Sequence, residues 1–574
     1  MHTRRVRLFT GLLVSTALTA AACGGSSGSK TTATTTAGGT ATTLKGAVKG
    51  GTLIDLQNFS PGEPSHIDPQ LVGEIQGSQP GQLMWDMLTK TNYTTSKLEP
   101  SVAESWTNNA AFTHWDFKLR ASKFSNGDPV LPSSFVFAWT RLASKAMASE
   151  VAYHITSDLQ VTGADKVADG SATTISGLKA DDTNMTLSID LDAPLSSLPN
   201  VVSHLAFAPQ DPKVVNALAD QTKYEETIMV GNGPYKEDTT GWRHNQDVTL
   251  VRNDAYTAPA GYVGQYLDKI VFVISKDQDS AFATFEAGQG DTGYIPQARF
   301  AEVKAKYSPN LSINPSLGIY YWDFNMKDPV VGGPENVKLR QAIALVIDKQ
   351  AIIDKTYNGS RKVATGFTPP GVPGYKAGLD QFPDRDVAKA KTLLAEWETA
   401  TGKKAADLPP IRIQYGSGAG HNNNAQIIEQ NMSEIGIKTQ DDGMVSTTYF
   451  KNVRKGVDDA GKSTQFFRGG WIWDYITYDN GMFPLFGTKS IGGDNLSLYS
   501  NPAFDDLITK ARATAEGPAR DKLYQDAESL ILNTDTVSVP LNWYTGQIAY
   551  SPKVHNVIQS PLQFVAYDTI YKTP

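Results

Sequence analysis

A single cysteine, Cys23, stands among 574 residues. One thiol cannot build an internal disulfide framework or a cysteine-based zinc cluster. Basic tracts are also missing. The 52 Lys and Arg face 59 Asp and Glu, the net charge is −7, and no run of the kind that grips nucleic acid occurs. The eight histidines are scattered, with no His-Glu-x-x-His pair, and there is no Walker loop. Beyond the N-terminus no apolar run is long enough to cross a bilayer. These absences set aside nucleic-acid binding, P-loop hydrolysis and a protein-built metal cluster; no metal and no cofactor are expected. What is present is 40% hydrophobic and 10% aromatic residues, enough for a sizeable core and about three or four folding units.

The N-terminus reads as an address. Arg4, Arg5 and Arg7 precede an apolar stretch from Leu8 to Ala22, which ends Ala20-Ala21-Ala22-Cys23-Gly24. A positive start, a short apolar run and small residues before a cysteine resemble a bacterial lipoprotein signal. Residues 1–22 are then a signal peptide, with lipid expected on Cys23; Ala20 stands where Leu is usual. The alternative is an ordinary secretory signal with an incidental cysteine. Residues 23–50 are Gly, Ser, Thr and Ala with almost no large apolar side chain, a composition that makes a flexible tether.

From Gly51 onward strand-like and helix-like segments alternate without an internal repeat. Val248–Val251 and Lys269–Ile274 are β-rich. Helical spacing predicts helices over Val337–Asp348, from Asp386 through Trp397 with Gly402 past the end, over Ala425–Ile435, after Asn501-Pro502, and over Ala519–Leu532. Ile437 to Thr439 reads as a strand. Such interleaving implies mixed α/β layers. Motifs with a catalytic look fail on context. Gly24–Gly28 matches a nucleophile elbow but lies in the tether. Gly288 to Gly293 matches a dinucleotide fingerprint but follows a helix-like run, so it reads as a helix C-terminal turn. The acidic pairs Asp181-Asp182, Asp441-Asp442 and Asp458-Asp459 read as solvated turns. No nucleophile–base pair is visible, and no enzyme activity is expected.

A series of segments carries a resemblance. Ile67-Asp68-Pro69, Leu98 to Trp106, Phe117 to Arg120 and Lys123 to Pro129 are followed in order by Gly231-Asn232-Gly233-Pro234-Tyr235 and Arg252 to Tyr256. Phe324-Asn325 with Val337 to Ala342, and Tyr499 to Asp505, continue it. Their shared order from about residue 51 to the C-terminus resembles the family-5 extracellular solute-binding proteins, which serve ABC importers of peptides, nickel and some other solutes. The resemblance implies a two-lobed, periplasmic-binding-protein-like fold (type II, cluster C). Domain I would comprise residues 51–92, 226–320 and 545–574, domain II residues 93–225 and domain III residues 321–544. Crossings near Tyr320–Phe324 and Pro540–Tyr544 would form the hinge, with the ligand enclosed between lobes.

The same resemblance assigns cleft residues in Arg468-Gly469-Gly470-Trp471-Ile472-Trp473-Asp474-Tyr475. Asp474 matches the acid that holds a peptide's α-ammonium, and a desolvated ammonium does need a charged acceptor; the alternative is a turn or capping acid. The backbone of Gly470, Trp471 and Ile472 would pair with the ligand, faced from the other lobe by Gly77, Ser78 and Gln79. Trp471 and Trp473 either flank the ligand or pack in the core. Tyr475 continues the segment, which departs from the family's pattern at Ile476 to Asp479. Arg468 would help bind the ligand's C-terminal carboxylate or else make an interlobe salt bridge. His421, ahead of a predicted helix, either approaches that carboxylate or is simply exposed. The expected partners are a peptide, the permease and ATPase subunits of an importer, and the membrane through the lipid, with the protein a monomer. The rivals are an oligosaccharide, opine-like molecule or metal chelate on the same fold, or a surface sensor uncoupled from transport.

Overall fold

The computed structural model describes residues 44–574, apart from Ala419 and Asp459. The signal segment and Cys23 lie outside the described residues. Among the described residues no helix is long and apolar enough to cross a membrane.

Two long strands, Leu311–Phe324 and Ser538–Tyr550, run antiparallel through the middle of an 11-stranded mixed sheet. At about 3.3 Å per residue each reaches over 40 Å, enough to run from one lobe into the other. On one side lie Phe466–Ile472, Ile411–Gly416 and Thr439–Met444; on the other lie Thr292–Tyr294, Thr52–Leu56, Lys269–Val273, Asp247–Arg252 and Tyr235–Arg243. The ladder between the long strands is broken between Pro315 and Ile319, opposite Trp543 to Thr545. That break lies ahead of the Tyr320–Phe324 crossing expected from the sequence, and a second register shift, between Tyr320 and Tyr321 opposite Asn542 and Pro540, falls within the two expected crossings. Pro315 has no N–H to give to a ladder, which explains why the irregularity falls there.

Residues 103–190 build a separate four-stranded antiparallel sheet, ordered Ala103–Asn108, His114–Leu119, Thr186–Asp190, Leu178–Asp181. Helix Pro132–Ala143 covers it, burying Phe135, Ala138, Trp139 and Leu142. The chain then returns to the large sheet at Tyr235. A second core lies around Trp322, Phe324, Ile343, Trp397 and Ile428 on the far side of the long strands. The molecule is therefore two-lobed.

Local rules account for many helices. Asp386 accepts a hydrogen bond from the Lys389 N–H at 2.9 Å, and helix Val387–Thr401 stops at Gly402 in the left-handed region. Its buried side chains are Ala390, Leu394 and Trp397. Asn501 caps Pro502–Arg512 through the Ala503 N–H. The segment Gly288 to Gly293 closes helix Gln278–Glu286 and leads into a strand, as expected of a terminal turn. Two readings change. Asp441 and Asp442 are not turn residues but lie in the edge strand Thr439–Met444, where Asp442 pairs with Arg412 at 2.5 Å and Asp441 accepts from the Tyr415 hydroxyl. Edge strands tolerate such charges because one face stays wet. The same strand begins at Thr439, so Ile437 and Lys438 precede it.

Candidate functional site

Strand Phe466–Ile472 carries the site. It pairs along one edge with the long strand, Tyr320 opposite Gly470 and Gly318 opposite Ile472. On its other edge the neighbouring strand pairs only at Phe466 and Phe467. From Arg468 to Ile472 that edge faces a cavity of about 530 Å³ between the lobes. A Cβ at position 470 would press on the ends of two side chains, coming within 2.6 Å of the Tyr544 hydroxyl and 2.9 Å of an Arg468 Nη, and both would have to shift. Gly470, Trp471, Ile472 and Asp474 all line the cavity, together with Arg468.

Asp474 follows the strand. Its backbone N–H donates to Asn480 Oδ1 at 3.0 Å, and Asn480 Nδ2 donates back to its carboxylate at 3.1 Å. The buried amide thus fixes the carboxylate's direction. Burial pushes the Asp474 carboxyl up to about 6, against the pull of His154 and the Asn480 amide. The acid therefore ionises just below neutrality, ready for a cation. From the other lobe His154 and His204 approach it, and the three residues' polar atoms lie within 4.8 Å of one another. This is the one such group among the described residues. His154 Nδ1 lies 3.0 Å from Asp158, leaving its buried Nε2 with no partner. The neighbouring carboxylates raise the His154 pKa although burial opposes them, while burial and His154 hold His204 well below the ordinary histidine value. His204 Nδ1 accepts from the Ala206 N–H at 3.3 Å, so its proton sits on Nε2. With Nδ1 already accepting and Nε2 carrying the proton, neither nitrogen of His204 is free to ligate a metal. The donor set fits a hydrogen-bonded carboxylate better than an ion.

Arg468 lies six positions before Asp474. Its guanidinium sits over the Tyr320 and Phe450 rings at 5.3 and 5.6 Å, and its buried Nε has no hydrogen-bond partner. Tyr449 donates to the Arg468 carbonyl at 2.5 Å. The salt bridge considered for Arg468 is not formed; among the described residues no acid pairs with it. His421 opens helix His421–Ser433, and its Nδ1 lies 3.1 Å from the Tyr320 hydroxyl. Burial, reinforced by Arg468 and Arg361, pushes its pKa down to about 3. His421 is therefore half-buried beside Arg468 rather than simply exposed. It does not line the cavity itself.

Both tryptophans line the cavity, but to different degrees. Trp471 is half-buried and donates to Asn480 Oδ1 at 3.2 Å. Trp473 is fully buried, donates to the Thr477 carbonyl at 3.0 Å and belongs to a core cluster with Met482 and Phe486. Tyr475 is also buried. It points away from the cavity into the core of the four-stranded-sheet domain, and its hydroxyl reaches Asp158 at 3.4 Å. That places it at the contact between lobes.

The facing stretch departs from expectation. Gly77, Ser78 and Gln79 are not extended but lie in helix Ile75–Met84, where the Ser78 N–H bonds to the Glu74 carbonyl. Gly77 is a packing glycine: a Cβ would meet the His66 carbonyl at 1.9 Å. Gln79 clamps the Val565 backbone at both its N–H and carbonyl, 2.8 and 3.1 Å. Only Ser78 of the three reaches the cavity, alongside Gly73 to Gln76 just ahead of it. A second cavity of about 630 Å³, walled by Trp85, Asp86, Tyr93, Tyr262 and Asp568, shares Asp474, Leu562 and Phe564 with the first. It lies away from the open strand edge. Residues that sequence reasoning did not single out are His154, His204, Asn480, Tyr544 and Arg361; they come from separate parts of the chain, and no contiguous motif marks them.

Comparison with known proteins places this geometry. Residues 97–493 match the model of "Bacterial extracellular solute-binding proteins, family 5 Middle". The dipeptide-binding protein DppE of Bacillus subtilis is 25% identical over 524 residues, covering 88% of this chain and 89% of that protein. The periplasmic oligopeptide-binding protein OppA of Haemophilus influenzae is 27% identical over 504 residues, with 86% and 88% covered. The crystal structure of that OppA in complex with the peptide RPPGFSPFR superposes with a TM-score of 0.72 at 25% identity, covering 92% of this chain and 99% of that one.

Proposed function

Because the chain belongs to the bacterial extracellular solute-binding proteins of family 5, we propose that it captures free peptides between its lobes and passes them to an ABC import permease. The observation that carries the reading is the polarity of one open strand edge. Asp474 stands at one end as an acceptor for the peptide's α-ammonium, Arg468 at the other as a donor to its carboxylate, and unpaired backbone lies between them. A peptide that adds a strand there gains main-chain hydrogen bonds whatever its side chains, and Trp471 supplies an apolar wall. Relatives named for dipeptide and oligopeptide binding support the same ligand class.

Binding is a closure event. The break in the long strands at Pro315–Ile319 is the hinge, at the boundary of domains I and III, with domain II spanning residues 93–225. Contacts that tie the lobes at the cleft are the Ser196 N–H to the Arg512 carbonyl at 2.8 Å, Arg512 Nη2 to the Asp158 carbonyl, and Tyr475 to Asp158. No bond in the ligand is made or broken. The protein acts as an extracytoplasmic monomer, anchored by lipid on Cys23 and tethered through residues 23–50, so that the body reaches its permease by diffusion near the membrane.

The test is a double-mutant cycle by calorimetry. Asp474→Ala leaves the ligand's ammonium desolvated without a counter-charge, a loss of about 2–5 kcal/mol, or roughly 30- to several-thousand-fold in Kd. Acetylating the peptide's N-terminus costs the wild type a comparable amount and the variant much less. A coupling near zero, with both single changes costly, would make Asp474 structural. Full tolerance of acetylated peptides by the wild type would replace the peptide with another solute.

A further inference from the structure

At the Arg468 end of the cleft a second guanidinium, that of Arg361, lies behind the lining residue Tyr544. Arg361 precedes the short strand Lys362–Val363, which pairs with Asn542 and Trp543 of the long strand, and this puts Arg361 beside Tyr544. Its guanidinium stacks on the Tyr357 ring at 3.7 Å and on the Tyr544 ring at 4.7 Å. Tyr544 lines the interlobe cavity, and its hydroxyl lies over Gly470 next to an Arg468 Nη. One Nη of Arg361 donates to Asn542 Oδ1 at 3.0 Å. No acid pairs with Arg361 or with Arg468 among the described residues, and both guanidiniums act with burial to lower the pKa of the half-buried His421. Helix His421–Ser433 begins at the same place and adds the partial positive charge of its N-terminus.

The two guanidiniums lie against the rings of Tyr320, Tyr357 and Tyr544, and neither has an acidic partner among the described residues. A C-terminal carboxylate balances one of them. We propose that the cleft selects peptides whose C-terminal residue carries a second acid, Arg468 taking one carboxylate and Arg361, beside Tyr544, the other. This rests on the peptide-capture reading. Guanidinium suits the task because its planar fork holds a carboxylate through paired N–H donors while its face stays stacked on an aromatic ring. It also explains why the imidazole of His421 stays neutral, as an uncharged neighbour that donates or accepts without adding a third cation.

The test uses matched unblocked peptides of two to five residues ending in Glu or in Gln, titrated calorimetrically into the wild type, Arg361→Gln and Arg361→Lys. The wild type is expected to bind the Glu-ending peptide at least about tenfold more tightly than its Gln partner. In Arg361→Gln that preference collapses while the Gln-ending peptide keeps its affinity, which also certifies the fold. Arg361→Lys, which keeps the charge, retains part of the preference. Equal binding of the two peptides by the wild type overturns the inference and leaves peptide capture standing. So does an equal loss for both peptides in Arg361→Gln, which would make Arg361 a structural stack on Tyr544. Failure of every unblocked peptide to bind the wild type would overturn both.

Discussion

At the scale of single residues, the cleft's chemistry turns on how burial moves two titrating groups in opposite directions. Asp474, half-buried in the cleft wall and held by Asn480, has its carboxyl pushed up to about 6 by desolvation. Its carboxylate must be charged to hold an ammonium, so affinity for an unblocked peptide falls as pH drops through about 6, approaching tenfold per pH unit below that value. Above about pH 8 the peptide's own amine loses its proton, and affinity falls again. Calorimetric Kd values across pH 4.5–9 are expected to trace this bell in the wild type. Asp474→Asn is expected to lose the acidic limb; an unchanged limb in that variant would assign the titration elsewhere. His421 behaves oppositely. Its pKa, held near 3, keeps it neutral throughout this range, so it contributes no limb of its own.

At the scale of elements, legibility followed locality. Asp386 and Gly402 bracket their helix because a cap is a short-range device, and Arg468 to Asp474 could be placed on one strand because they are contiguous. Helix Ile75–Met84 was not legible. Gly77, Pro80 and Gly81 are poor helix residues, yet seven of its ten residues are buried, and tertiary packing overrides propensity there. Arg361, His154 and His204 could not be read at all, since only the folded chain brings them beside Arg468 and Asp474. Strand Tyr235–Arg243 carries a further consequence of packing. Glu237 on it is buried; one oxygen accepts from the Met229 N–H at 2.7 Å and the other has no partner, so burial pushes the carboxyl up to about 8. A folded-state pKa above the unfolded one gives stability that is complete below about 4.5 and is lost as pH rises through about 8. Glu237→Gln keeps the acceptor for Met229 and removes the titration. Relative to the wild type it is expected to gain about 1–3 kcal/mol between pH 5 and pH 8.5, seen as a melting-temperature difference that grows with pH. A pH-independent difference would mean that Glu237 is ionised in the fold.

At the scale of the whole molecule, the sheet that crosses between lobes frames the site and, in the proposed closure, is also its moving part. The strand proposed to bind is laid against the one proposed to bend: Tyr320 lies opposite Gly470, just past the break at Pro315–Ile319. Ligand that bridges Asp474 and Arg468 on one lobe, and meets Gly73 to Gln76, Ser78 and His204 on the other, favours the closed arrangement by the difference in its contacts with the two states. The central claim is that a free peptide is enclosed between the lobes, and small-angle X-ray scattering tests it most directly. With a saturating unblocked peptide the radius of gyration is expected to fall relative to the ligand-free protein, and the same peptide blocked at both ends is expected to leave the profile unchanged at equal concentration. Superimposable profiles with and without an unblocked peptide that calorimetry shows to be bound would contradict the account.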